Sequence, residues 1–246
     1  MQPRESSRRL QHPDGSNRPV ILIRNCIQTQ TRMVISAIMS APRKRLTREE
    51  SKAATREKLL AAAVKAFARY GFGAISVDEI AESAGFSRGA FYSNFKSKDE
   101  LFLTVVEREI RAWSLEVRDI VSASSSAEET LLGLRKFYGV VKERDKDAQL
   151  LIAEARLYAA RNGQFKSKLS ALFREVHEEL TSVLERFQTQ AAIKNGIAAD
   201  QLVLIAIALN HGLVMHHLMD PRHYPDHLVT ASSELVFDKL MGFTGR

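Results

Sequence analysis

After position 47, apolar residues recur at three- and four-residue intervals almost without interruption, the spacing of helices that bury one face. Leu60, Val64 and Phe67 align on a helix predicted over Arg48–Tyr70. A short helix follows over 77–84 with Ile80 and Ala81 inward. A turn at Gly85 and Phe86 then leads to a second short helix, opened by Ser87, on which Phe91 and Phe95 repeat at i, i+4. Six more helices are predicted, over about 101–121, 128–142, 147–161, 164–192, Ala199–Met219 and Asp226–Met241. The first carries the stripe Phe102, Val105, Val106, Ile110, Trp113 and Val117. The fourth carries Leu169, Leu172, Phe173, Val176, Leu180, Leu184 and Phe187. Four starts bear the Ser/Thr-x-x-Glu capping box, at Thr47 with Glu50, Ser76 with Glu79, Ser97 with Glu100, and Ser126 with Glu129. The six prolines fall at 3, 13, 19, 42, 221 and 225, so 43–220 contains no helix breaker, and no alternating strand pattern competes. The predicted fold is all-α.

Charge divides the chain. Residues 1–46 hold nine bases against two acids, Glu5 and Asp14, a net +7 that equals the formal charge of all 246 residues. The rest is balanced overall, but 47–98 carries nine bases and six acids while 99–246 carries 18 bases and 21 acids. A basic front end suits a polyanion. The two short helices joined by a glycine turn read as a helix-turn-helix, in which the second helix leaves Arg88, Ala90, Tyr92, Ser93 and Asn94 outward, small and polar enough to enter a major groove.

The run Ser76-Val77-x-x-Ile80-Ala81-x-x-Ala84-Gly85-Phe86-Ser87-x-Gly89-x-Phe91-Tyr92-x-x-Phe95-x-Ser97-Lys98-Asp99-Glu100-Leu101 resembles the N-terminal signature of the TetR family, the tetracycline-repressor-like transcriptional regulators. The match covers about 52 residues, from Thr47 to Lys98, without a gap; beyond Leu101 the resemblance is one of architecture. It implies that Ser76, Tyr92 and Lys98 touch phosphates while Ser87, Arg88, Ala90, Ser93 and Asn94 lie against base edges or the groove wall. Helix N-termini at Ser76 and Ser97 attract anions, and Arg88 is the candidate for a bidentate hold on guanine.

The body after Asp99 has its own candidates. Trp113, Phe137, Glu154, Arg156 and Tyr158 are the aromatic and polar residues expected to line an effector pocket. The segment 202–215 is apolar nearly all round and is expected to be buried on every side, with Ala206, Ala208 and Gly212 allowing close helix approach. The resemblance implies a four-helix dimer interface from the last two helices, here Leu202, Ile205, Ala206, Leu209, Leu213 and Leu235. A two-fold dimer suits a pseudopalindromic operator. Five of the seven histidines crowd the C-terminal 36 residues, yet His223 and His227 flank Pro225, and no metal site or cofactor is predicted. No phosphate loop, nucleophile elbow or paired-acid motif marks an enzyme.

The longest uninterrupted apolar run, 202–209, is far short of a bilayer span, and the lone Cys26 forms no intramolecular disulfide, so a cytoplasmic protein is expected. Residues 1–46 are expected to be a disordered basic leader; a transit segment is a second reading, and an over-extended start, with Met33 or Met39 ahead of Pro42-Arg43-Lys44-Arg45, a third. The domain layout is thus 1–46 leader, 47–98 helix-turn-helix head, and 99–246 helical effector-binding and dimerisation body. The function expected is a homodimeric, small-molecule-responsive repressor on a double-stranded DNA operator, with a constitutive architectural DNA-binding protein as the alternative.

Overall fold

The computed structural model describes residues 47–139, 143–193 and 196–241. The expected leader over 1–46 lies outside the described residues, as does the expected end of one helix at 140–142. Among the described residues the chain forms nine helices and no strand: α1 (Arg48–Tyr70), α2 (Val77–Ser83), α3 (Arg88–Tyr92), α4 (Lys98–Ala123), α5 (Ala127–Gly139), α6 (Glu143–Arg161), α7 (Gly163–Gln190), α8 (Ala199–Met219) and α9 (Asp226–Met241).

Helix starts follow the capping residues. Ser76 Oγ accepts the Glu79 N–H at 3.2 Å while Glu79 Oε2 accepts the Ser76 N–H at 2.8 Å, a closed box. Ser97 and Ser126 cap their helices through the Glu100 and Glu129 N–H groups. There the glutamates reach one residue further back, to the Lys96 and Ser125 N–H groups. Asn162, which carries no box, opens α7 by accepting the Phe165 N–H at 2.9 Å. Each such cap is worth about 1 kcal/mol. The turn between α2 and α3 closes as a Schellman motif: Gly85 N–H donates to Glu82 O and Phe86 N–H to Ala81 O, both at 2.9 Å, with Gly85 at φ +78°. A side chain at that φ is strained, which is why glycine stands there.

A phenylalanine-rich cluster joins the head to the body. Phe72, in the turn after α1, stacks on Phe102 of α4 at 4.7 Å and meets Tyr158 of α6 at 4.3 Å; Phe102 in turn stacks on Phe165 of α7 at 5.6 Å. Offset and edge-on aromatic pairs at these separations add about 0.5–1.5 kcal/mol each beyond the area they bury. One continuous core therefore runs from Leu59 in α1 to Leu180 in α7.

α8 corrects the expectation of burial on every side. Leu202, Val203 and Val214 are buried, but Leu204 is 60% and Ile205 38% exposed. The helix packs by one flank on α7 and α9, and all-round apolarity carries no information about which flank a neighbour covers. The uninterrupted run also understated it: over 21 residues α8 is apolar and long enough by composition to cross a bilayer, although here its inner flank belongs to the bundle core.

Candidate functional site

α3 presents the head's exposed surface. Phe91 and Phe95 are buried beneath it, pinning the short helix, so Arg88, Tyr92 and Ser93 stand outward. Arg88 Nη1 lies 2.7 Å from Asp78 Oδ2 on α2, a largely exposed ion pair, and its guanidinium sits 5.5 Å from the Tyr92 ring. Exposed pairs of this kind are worth little, so exchanging Asp78 for a base edge costs the fold almost nothing. Ser87 Oγ caps α3 through the Ala90 N–H, and Ser93 Oγ donates to Gly89 O.

Three expected contact residues are engaged inside the head. Lys98 Nζ donates to Phe72 O at 2.8 Å and Ile75 O at 2.9 Å and lies 4.4 Å over the Phe72 ring, so two of its three N–H groups brace the turn between α1 and α2. Burial pushes its pKa below the ordinary lysine value. Ser76 Oγ donates to Glu79 Oε2 at 2.7 Å, and this hydroxyl, with the Ser76 N–H, holds that carboxyl below the usual range. Asn94 Nδ2 donates to Ala90 O at 2.8 Å, and Asn94 O accepts Arg56 Nη1 at 2.7 Å. Arg56, whose guanidinium also covers the Phe95 ring at 4.1 Å, anchors the end of α3. Sequence reasoning missed it, since a helical arginine one turn before the core stripe looks like any solvated residue.

A partly open cavity of about 470 Å³ lies between α4, α5, α6, α7 and α8. Trp113, Phe137 and Arg156 line it as expected, together with Ile110, Phe173 and Val214. Glu154 and Tyr158 do not. Residues two apart on a helix point about 200° away from each other, so when Gln149, Ile152 and Arg156 face the cavity, Glu154 and Tyr158 face the head. Glu154 Oε1 accepts the Phe72 N–H at 3.1 Å. The Tyr158 hydroxyl donates to Asp99 Oδ2 at 3.1 Å and accepts Asn162 Nδ2 at 2.9 Å; its pKa is raised, first by burial and then by the Asp99 contact. Missed on the cavity wall were Gln149, Asn210 and His211, a chain in which Gln149 Nε2 donates to Asn210 Oδ1 at 3.2 Å and His211 Nδ1 meets Gln149 Oε1 at 2.8 Å. No periodicity could have paired residues 61 and 62 positions apart.

Of the expected dimer residues, Leu202 belongs to the core of the chain itself, against Phe187 and Met241. Ala206 and Leu209 line a narrow apolar crevice of about 70 Å³ between α8 and its neighbours. Ile205 and Leu235 are exposed, as are Leu204, Met219 and Leu228.

Residues 59–105 match the family model described as bacterial regulatory proteins, tetR family. Over these residues the chain carries a tetR-family DNA-binding segment. It is 33% identical over 110 residues to the transcriptional activator FasR of Mycolicibacterium smegmatis, 45% of this chain and 48% of that one. With the probable acrEF/envCD operon repressor of Escherichia coli it shares 24% over 185 residues, 69% and 79% of the two chains. The chain spans less than half the length of the first curated tetR-type relatives it matches. In fold it is similar to a TetR-family regulator from Rhodococcus, at TM-score 0.64 and 20% identity over 76% of this chain and 98% of the other. It is also similar in fold to Bacillus subtilis FadR in complex with stearoyl-CoA, at TM-score 0.62 and 18% identity over 77% and 99%.

Proposed function

We propose that this chain is a sequence-specific DNA-binding transcriptional regulator, a homodimer that represses from a pseudopalindromic operator in the cytoplasm and is released by a small molecule. The observation that carries this reading is that one helix, α6, faces a ligand-sized cavity on one side and holds the DNA-reading head on the other. A constitutive architectural DNA-binding protein needs no such cavity.

On the DNA side, Arg88 reads a base, Tyr92 meets the backbone, Ser87, Ala90 and Ser93 line the groove wall, and Lys98, Ser76 and Asn94 set the height and angle of α3 rather than supply the main contacts. On the dimer side, Leu204, Ile205 and Ala208 of α8 with Leu228 and Leu235 of α9 form an apolar surface that a second copy covers about a two-fold axis. α4 is the lever, since Ile110 and Trp113 touch the cavity while Ser97, at its start, adjoins α3. Ligand binding favours the arrangement of α4 and α6 that fits it better, and operator affinity falls by that differential binding energy.

The test is selection of genomic fragments with the purified protein, followed by small-molecule release of the selected DNA. Recovery of one inverted-repeat sequence, released by a compound that binds the cavity, is expected. Binding without sequence preference, or release by nothing that enters the cavity, overturns the reading.

A further inference from the structure

The cavity wall is mostly apolar and aromatic, with Gln149, Arg156, Asn210 and His211 on the α6 and α8 side and Glu109 and Glu116 on the α4 side. Arg156 is half-buried there, its guanidinium 5.2 Å from the Phe173 ring, and it has no carboxylate partner among the described residues. Burial pushes its pKa down and no neighbouring acid offsets this. Among the described residues, the other half-buried arginines that tie two body helices together each have an acid: Arg111 has Glu175, Arg118 has Glu179, and Arg135 has both Glu234 and Asp238. Glu109 and Glu116 also lie on the α4 wall, and both have interactions of their own.

His211 lies at the same pole, its pKa lowered by burial and then by the charge of Arg156. Its Nδ1 lies 2.8 Å from Gln149 Oε1; a neutral ring that donates there has an accepting Nε2, so the ring adds a hydrogen bond to a carboxylate only when it takes up a second proton, and Arg156 is the group that holds the anion. A cation held half out of water without a paired carboxylate among the described residues is costly, and a carboxylate delivered by a ligand offsets that cost while forming a charge-assisted pair.

We infer that the effector is an anionic amphipath, a carboxylate on an apolar body, with the carboxylate seated on Arg156 beside His211 and the body lying along Trp113, Phe137, Ile110 and Phe173. This rests on the cavity being the effector site. The 470 Å³ equal the volume of about 15 water molecules at about 30 Å³ each, room for a medium-chain or aryl-alkyl carboxylic acid. A quaternary ammonium ligand is disfavoured by the same guanidinium.

The chain has one tryptophan, Trp113, and it lies on the cavity wall, so its fluorescence reports occupancy directly. The full chain is titrated with decanoate, decanamide and decyltrimethylammonium, each below its micelle threshold. Decanoate should quench or shift Trp113 saturably and bind roughly tenfold or more tightly than decanamide, with the ammonium weakest. Arg156→Met should bring decanoate down to the amide, while amide binding and thermal unfolding stay near wild type; Arg156→Lys should recover part of the preference. If decanoate and decanamide bind alike, if the ammonium binds best, or if Arg156→Met leaves the preference intact, the charge assignment is wrong while the cavity remains a ligand site. If none of the three perturbs Trp113, the cavity reading falls and the inference with it.

Discussion

Glu154 of α6 accepts the backbone N–H of Phe72 at 3.1 Å, across 82 residues of sequence. Gly71, immediately before Phe72, has φ +78°, and a Cβ there would approach Glu154 Oε1 to 3.4 Å, so the turn after α1 is shaped to receive this carboxylate. α6 is thereby tied to the head by a charged acceptor one half-turn from a cavity-lining arginine.

Glu154→Ala should leave operator binding in place but weaken ligand-induced release, because a shift of α6 would no longer pull on Phe72. The orphaned N–H should cost about 1–3 kcal/mol of stability. Operator titrations with and without a releasing compound measure the coupling directly, and an unchanged ratio of the two affinities removes Glu154 from the route. Glu154→Gln keeps an acceptor and should lie between.

Arg88→Ala should abolish the preference for operator over random DNA, a loss of about 1–3 kcal/mol per half-site, with the fold intact because the pair with Asp78 is exposed. Asp78→Ala should raise affinity for all sequences alike by removing a negative charge beside the contact surface. Equal specificity ratios for wild type and Arg88→Ala at matched salt would show that the base reader lies elsewhere.

Lys98 separates two roles by two readouts. As the brace on Phe72 O and Ile75 O, Lys98→Met should lower the unfolding temperature, at about 1–3 kcal/mol for the two carbonyls it leaves unpaired. It should leave the slope of log affinity against log salt unchanged. A stable variant whose slope is shallower by about one unit would make Lys98 a phosphate contact instead.

Leu204→Arg or Leu235→Arg, each on a surface 60% exposed in the protomer, should yield a folded monomer with weakened operator binding. Leu202→Arg should unfold the body, since that side chain is packed on Phe187 and Met241. Light scattering with circular dichroism distinguishes the cases; a Leu204→Arg chain that stays dimeric moves the interface to another surface.

His211 gives a pH dependence of known sign. Its folded pKa lies below the ordinary histidine value, through burial and then the charge of Arg156, so the unfolded chain takes up the proton first. The contribution to stability is complete above about pH 6.5 and is lost as pH falls through the folded value. Thermal unfolding between pH 8 and pH 5 should show this loss, His211→Gln should reduce it, and a carboxylate bound beside Arg156 should reduce it too. An identical pH profile for His211→Gln would assign the dependence to other groups.

Much of this architecture was legible in the sequence because its determinants are local. Helices at three- and four-residue spacing, serine caps with a glutamate three residues on, and Gly85 at the one position that needs positive φ all act over a single turn of chain. The exposure of Arg88 and Tyr92 followed from the burial of Phe91 and Phe95 between and beside them. What one strand of sequence cannot contain is which neighbour covers which face. The charge of Lys98 is visible in the sequence, whereas the Phe72 and Ile75 carbonyls that it braces, 26 and 23 residues away, are not. Glu154, Arg156 and Tyr158 looked alike as polar residues of one helix, and only the placement of α1 and α8 on opposite sides of α6 made one a cavity group and the other two the attachment of the head. Leu202 and Leu204 are the same residue type two positions apart, and the position of α7 and α9 alone decided that one is core and the other an open surface. Helix formation depends on short-range hydrogen bonds and periodicity, while the role of each side chain depends on long-range packing that brings together residues distant in the chain.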